Sequence, residues 1–381
     1  MTTRPLLVRG LGVVSAAGVG AAALARALED PAWAPVLGFE DPELPDLAVA
    51  TCRGFAAKNH MPPLVARRLD RSAGLLAVAA REALDRAGSP RPWANDRIGV
   101  CAATWNAGTE ALVEVLKAVF LTAPNEAPPA QFPSTVANAP ASQLGILEKL
   151  SGPNLTFFEK QSGGLRVLIE AARLTAHGRA DAVLACGVDE AQWLHAESYQ
   201  RLGVLRRGGG EGFVLAEGAA SLLLAVDDGS PAIARMAGWG SAAAPVATYK
   251  YPTSPASLVG ACQRALAHAG MEPGEVELVA SVANGLPSLA RLEQEALTEV
   301  FGSHRPAVLG VTQRAGEGPF GTVLRSVATL LVLSGEAEPR WPPPLNLRQA
   351  GFSAPTSPPA NALVTALSAG GSAVAVVFTA R

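Results

Sequence analysis

The residues best placed to do chemistry lie in "FFEKQSGGLRVLIEAARL", residues 157–174. Two β-favouring aromatics lead into a tight turn at Gln161, Ser162, Gly163 and Gly164, and an amphipathic helix follows. A helix N-terminus presents unpaired N–H groups and the positive end of the peptide dipoles. Both lower a thiol's pKa and stabilise a developing oxyanion. A strand, a sharp turn and a helix N-terminus therefore form a pedestal for a nucleophile. Here the pedestal carries Gln161, whose amide keeps the shape and the hydrogen bonding but cannot attack. Ser162 offers a hydroxyl next to it, but no histidine is visible in the sequence to take its proton, so an ordinary turn hydroxyl is the simpler reading.

Other candidates are thinner. His177 and His268 close helices beside Gly178 and Gly270, and His60, His195 and His304 fall in polar connections. None lies in a stretch built for chemistry, so caps and solvated residues are expected. "GLGVVSAAG" resembles a dinucleotide fingerprint, but Ser15 replaces the third glycine and no acid follows at the required distance. Walker, G-x-S-x-G and H-E-x-x-H patterns do not occur. Cys52, Cys101, Cys186 and Cys262 stand far apart without a C-x-x-C pair, which fits a reduced, cytoplasmic protein with no structural zinc. No metal and no cofactor is expected.

The elements that must position the Gln161 turn alternate along the chain. Apolar β-rich runs ("PLLVRGLG", "RIGVCAAT", "ADAVLACGVDE", "EGAASLLLAVDD") are separated by Ala/Leu-rich helical stretches, and the second half repeats the theme from "AIARMAGWGS" onward. Such alternation predicts an α/β protein with buried, largely parallel sheets. A seam at residues 226–232 divides two similarly ordered halves, 1–228 and 229–381. Residues 4–25 mimic an export leader, yet strand, turn and helix account for every residue. Residues 361–380 are uncharged over a membrane-spanning length, but "SAGGS" splits them into two short strands.

Composition narrows the classes. Of 381 residues, 49% are hydrophobic and 17% charged, which suits extensive burial and at least one large interface. The formal net charge is −2 with basic residues scattered, so neither nucleic acid nor a membrane is an expected partner.

Over nearly its full length the chain resembles the β-ketoacyl synthase family. The stretches that carry the resemblance are "LVRGLGVVSAAGVG", "FPSTVANAPASQLGI", "GPNLTFFEKQSGG", "GRADAVLACGVDE", "EGFVLAEGAASLLLA", "PPPLNL" and "LSAGGSAVAVVF". The resemblance implies a thiolase-like fold: two pseudo-repeated halves, each with a mixed, mostly parallel sheet, layered α-β-α-β-α. Members use a cysteine, two histidines and a lysine. By the motifs, the cysteine falls on Gln161, the first histidine on Asn284 of "VANGLPS", and the lysine on Gln313 and the second histidine on Gly318 of "GVTQRAGEGPFG". The phenylalanine–glycine gate falls on "LSAGG", with Leu367 and Ala369 in place of aromatics beside Gly370 and Gly371.

No catalytic residue is therefore expected. Glutamine at this turn marks the chain-length factors, or ketosynthase β subunits, of type II polyketide and fatty-acid-like systems. The resemblance implies a subunit that pairs with an active ketosynthase, meets the acyl carrier protein through that complex, and shapes the acyl tunnel. Two alternatives stand beside it. One is a malonyl-carrier-protein decarboxylase supplying primer units, although relatives of that kind keep their histidines; the other is a non-catalytic homodimeric scaffold.

Overall fold

The computed structural model describes residues 6–89 and 91–381. Ten main strands among them build two arrays of five. The first array uses β1 (Leu6–Ser15), β2 (Ile98–Thr104), β3 (Asn154–Phe158), β4 (Ala182–Asp189) and β5 (Gly218–Val226), in the order β3-β2-β4-β5-β1. The second uses β6 (Ala234–Ala243), β7 (Leu278–Ala280), β8 (Ala307–Leu309), β9 (Asn361–Leu367) and β10 (Ser372–Thr379), in the order β8-β7-β9-β10-β6. Third, second, fourth, fifth, first: the two orders are the same. So are the pairings, with two parallel ladders followed by two antiparallel ones in each half. The first strands meet antiparallel, Leu6–Val8 against Ala234–Met236, and this joins the arrays.

Helices cover both faces of each array. Six matter to the site: α1 (Arg71–Arg86), α2 (Ala139–Glu148), α3 (Gly163–Ala176), α4 (Ala256–Ala269), α5 (Pro287–Phe301) and α6 (Pro319–Leu333). Helices α3 and α6 form the middle layer, and every residue of α6 is buried, as a helix between two sheets must be. Period-two alternation shows how the sheets are sandwiched. In β9 and β10, Ala362, Val364, Ala366, Val374, Val376 and Phe378 join the central core. Their neighbours Leu363, Ala373, Ala375 and Val377 instead join the outer core with Leu258, Cys262 and Leu292 of α4 and α5. In the first half, Leu222 and Leu224 face the centre while Leu223 and Ala225 pack with Leu76 and Ala80 of α1. The layers read α-β-α-β-α.

The middle helices meet closely because glycine stands where they touch. A Cβ added at Gly164 would come 2.5 Å from the Pro319 carbonyl oxygen and 2.8 Å from Thr322 Cβ. Strand β7 is only three residues long, Leu278–Ala280. The chain leaves the ladder there because the buried Glu293 carboxyl accepts the Ser281 hydroxyl and the N–H groups of Val282 and Ala283, at 2.6, 2.7 and 3.1 Å. That exit delivers Asn284 to the site. Among the described residues no helix is long and apolar enough to cross a membrane.

Candidate functional site

Strand β3 ends at Phe158 and helix α3 begins at Gly163, so the Gln161 turn stands where the sequence places it. Its backbone is held from across the fold: the Thr322 hydroxyl of α6 donates to the Gln161 carbonyl at 2.7 Å. Gln161 lines a void with room for water of ≈ 20 Å³, together with Trp105, Asn106, Asp189, Tyr199, Glu317 and Gly318. That is space for about one water molecule.

Three sequence candidates converge here and one does not. Gln161 and Gly318 line the void, and Asn284 reaches it through a side chain the motif reading passed over. The Asn284 NH₂ donates to Glu317 Oε2 at 2.6 Å, and its Oδ1 accepts the Leu286 N–H at 3.1 Å. Gln313 sits on the one-turn helix Thr312–Ala315 and does not line the void. Gly318 has backbone φ +146°, and a Cβ there would lie 2.8 Å from Asp189 Oδ2. A side chain at 318 would meet that carboxyl, so the position is built for glycine.

Two carboxyl groups therefore point at the void, and both are buried. Burial pushes Asp189 up to about 7, while hydrogen bonds from the N–H groups of Trp105 and Phe320, at 2.8 and 2.9 Å, pull the other way. Burial likewise raises Glu317, and its bond from Asn284 opposes the shift. Desolvation disfavours the charged form of each. Tyr199 is pushed up to about 12 by burial. At the rim, the Lys160 ammonium bonds the Thr248 carbonyl and lies 5.2 Å from the centre of the Trp105 ring; burial lowers its pKa. Asn106, 1% exposed, has no partner on either amide atom, and neither does Gln161 Oε1.

The remaining candidates fall outside the void. Leu367 is buried in the outer core, and Ala369, Gly370 and Gly371 form the turn between β9 and β10. The histidines are absent from it too. His304 bonds the Val276 carbonyl at 2.7 Å, His177 bonds the Arg173 carbonyl at 2.7 Å, and His268 packs edge-on against Trp239. Burial raises the Cys52, Cys101, Cys186 and Cys262 thiols, which marks them as inert. Among the described residues no group of three His, Cys, Asp or Glu side chains is placed to hold a metal ion.

Glu317 and Asp189 are the residues motif reading missed, and each left a signal. Glu317 is the single acid in an otherwise apolar and glycine-rich run. Asp189 ends a fully buried strand whose neighbour β2 is parallel to it, the edge where α/β sheets hold ligands.

Residues 56–228 match the β-ketoacyl synthase N-terminal domain and residues 233–316 the C-terminal domain of the same enzymes. The chain belongs to the β-ketoacyl synthase family. It is 27% identical to the tetracenomycin polyketide synthase ketoacyl synthase beta subunit of Streptomyces glaucescens, over 86% of this chain and 85% of that one. It is 24% identical to the 3-oxoacyl-[acyl-carrier-protein] synthase 2 of Coxiella burnetii, over 91% and 89%. Among solved structures, the ishigamide ketosynthase/chain length factor superposes with TM-score 0.88 at 16% identity over 100% of both chains. A ketosynthase in complex with its chain length factor from Xenorhabdus doucetiae gives 0.83 at 18%, over 99% and 98%. These likenesses establish the thiolase-like fold.

Proposed function

We propose that this chain is a chain-length-factor-type subunit: it pairs with an active ketosynthase, meets the acyl carrier protein through that complex, and shapes the acyl tunnel without bonding to the acyl group. The observation that carries the reading is the void itself. At the turn that would hold a nucleophile stands Gln161, and the described residues that line the void include neither a thiol nor an imidazole to carry out acyl transfer. The Asn284 amide, which could have stabilised an oxyanion, is engaged by Glu317.

The surface supports pairing. Strand β3 is the edge of the first array and carries Leu155 and Phe158 into solvent. Exposed edges with apolar side chains are templates for a partner strand. The same stretch of chain exposes Phe120, Leu121, Phe132 and Ile146. A partner of the same fold, offering an equivalent edge, is the occupant such a face suits.

The decarboxylase alternative meets two obstacles. A malonyl group exceeds a void of ≈ 20 Å³, and the Asn284 amide that could hold its thioester oxygen is engaged by Glu317. Co-expression with a ketosynthase that retains its cysteine tests the proposal. A 1:1 complex by light scattering is the expected result, and a homodimer indifferent to that partner would establish the scaffold reading instead.

A further inference from the structure

The Gln161 turn is fastened to the last hairpin of the chain by two buried hydroxyls. Ser368, in the turn after β9, accepts the Ser162 N–H at 2.7 Å and donates its own hydrogen to Ser162 Oγ at 2.8 Å. Ser162 Oγ passes its hydrogen to Glu159 Oε1 at 2.7 Å. Glu159 Oε2 is held by Arg166 Nε at 3.0 Å, and Arg166 reaches back to Ser372 Oγ at 3.4 Å. Both ends of the turn, 368 and 372, are thus tied to the start of α3. The tip is tied as well: the Gly370 N–H donates to the Lys250 carbonyl at 2.8 Å, and the Ala244 N–H donates to that of Gly371 at 3.0 Å. Ser162 is 0% and Ser368 3% exposed, so removing either hydroxyl strands a buried partner.

We infer that Ser162 and Ser368 form a bolt that holds the 368–371 turn closed over the Gln161 turn, so that no thioester reaches this subunit's void. Within the proposed heterodimer, the acyl chain is then confined to the face shared with the ketosynthase. That confinement rests on the proposed pairing; the bolt does not. The bolt also engages the Ser162 N–H internally, so that donor must break a bond before it can serve an oxyanion.

The test places a reporter thiol at the turn with Gln161→Cys in the full-length chain, whose four native cysteines are buried. Alkylation by a pantetheine chloroacetamide and by iodoacetamide is followed by intact mass, with thermal melts as the folding control. The pantetheine reagent should react about 100-fold more slowly than with an exposed thiol. Adding Ser368→Ala should speed it by about 10- to 100-fold, more than it speeds iodoacetamide. Ser162→Ala breaks the same link from the other side and should act alike. Fast pantetheine labelling of Gln161→Cys alone, or a rate unchanged by either serine variant, would overturn the bolt. Labelling is repeated with the ketosynthase partner present. Fast reaction of the free chain that slows only in the complex sinks the bolt but spares the pairing, whereas failure to form a complex sinks the pairing and leaves the free-chain rates decisive.

Discussion

Replacing Phe120, Leu121 and Phe132 together by serine should break the complex with a ketosynthase while leaving the isolated fold intact. These side chains are 77%, 79% and 67% exposed, so they add almost nothing to the chain's own core. Fully burying such a side chain stabilises by about 1.5–3 kcal/mol, and scaling by the exposed fraction gives about 1–2 kcal/mol for each on assembly. Losing all three removes about 3–6 kcal/mol, which weakens Kd by roughly two to four powers of ten. Titration calorimetry or sedimentation with the purified ketosynthase reads this directly, and a thermal melt of the free subunit supplies the control. A Kd that stays within about threefold of the parent would refute the placement of the interface.

Further outcomes follow from the site and the fold. Gln161→Cys alone should not condense malonyl and acyl carrier proteins, because the Asn284 amide stays engaged by Glu317 and Gly318 has no side chain to donate; product detected by mass spectrometry at ketosynthase rates would contradict this. Gly164→Ala should cost about 1–3 kcal/mol or more by forcing α3 from α6, seen as a lower denaturant midpoint at constant m-value. Glu190, buried and bonded to the Glu110 N–H at 2.9 Å, is pushed by burial from an ordinary 4.5 up to about 8. The folded state holds this proton more tightly than the unfolded chain does. Its stability contribution is therefore complete below the ordinary value and is lost as pH rises through about 8, by roughly 3–5 kcal/mol. Melts of Glu190→Gln across that window should fall less steeply than those of the parent, and equal slopes would exclude the linkage.

The frame of this fold was legible because its elements are periodic. Alternation in "SAVAVVFT" and the helical stripe of "LRVLIEAARL" place their residues correctly, and the uncharged C-terminal run resolves into β9 and β10. Helix α2 was not legible as one: "APASQLGILE" mixes small and apolar residues around all its faces and so lacks a stripe. Half of the site was legible on the same terms. Gln161 and Gly318 are named by turns and glycines close to them in sequence. Glu317 and Asp189 line one void at a separation of 128 in the chain, and Ser162 finds Ser368 at a separation of 206. No local pattern encodes contacts of that range; they exist only after the middle helices have packed. Asn284 shows the same limit. Its position in a motif was visible, but the carboxyl that occupies its amide was not.

The most direct measurement is the mass of each subunit isolated from a working assembly. The ketosynthase complex is supplied with acyl and malonyl carrier proteins, stopped during turnover, and its chains are weighed separately without reduction. Substrate mass on the partner's cysteine alone, with this 39.0 kDa chain unmodified, is the predicted result. An acyl increment on this chain would contradict the account, because a subunit that only shapes the tunnel has no atom to which the acyl group could be bound.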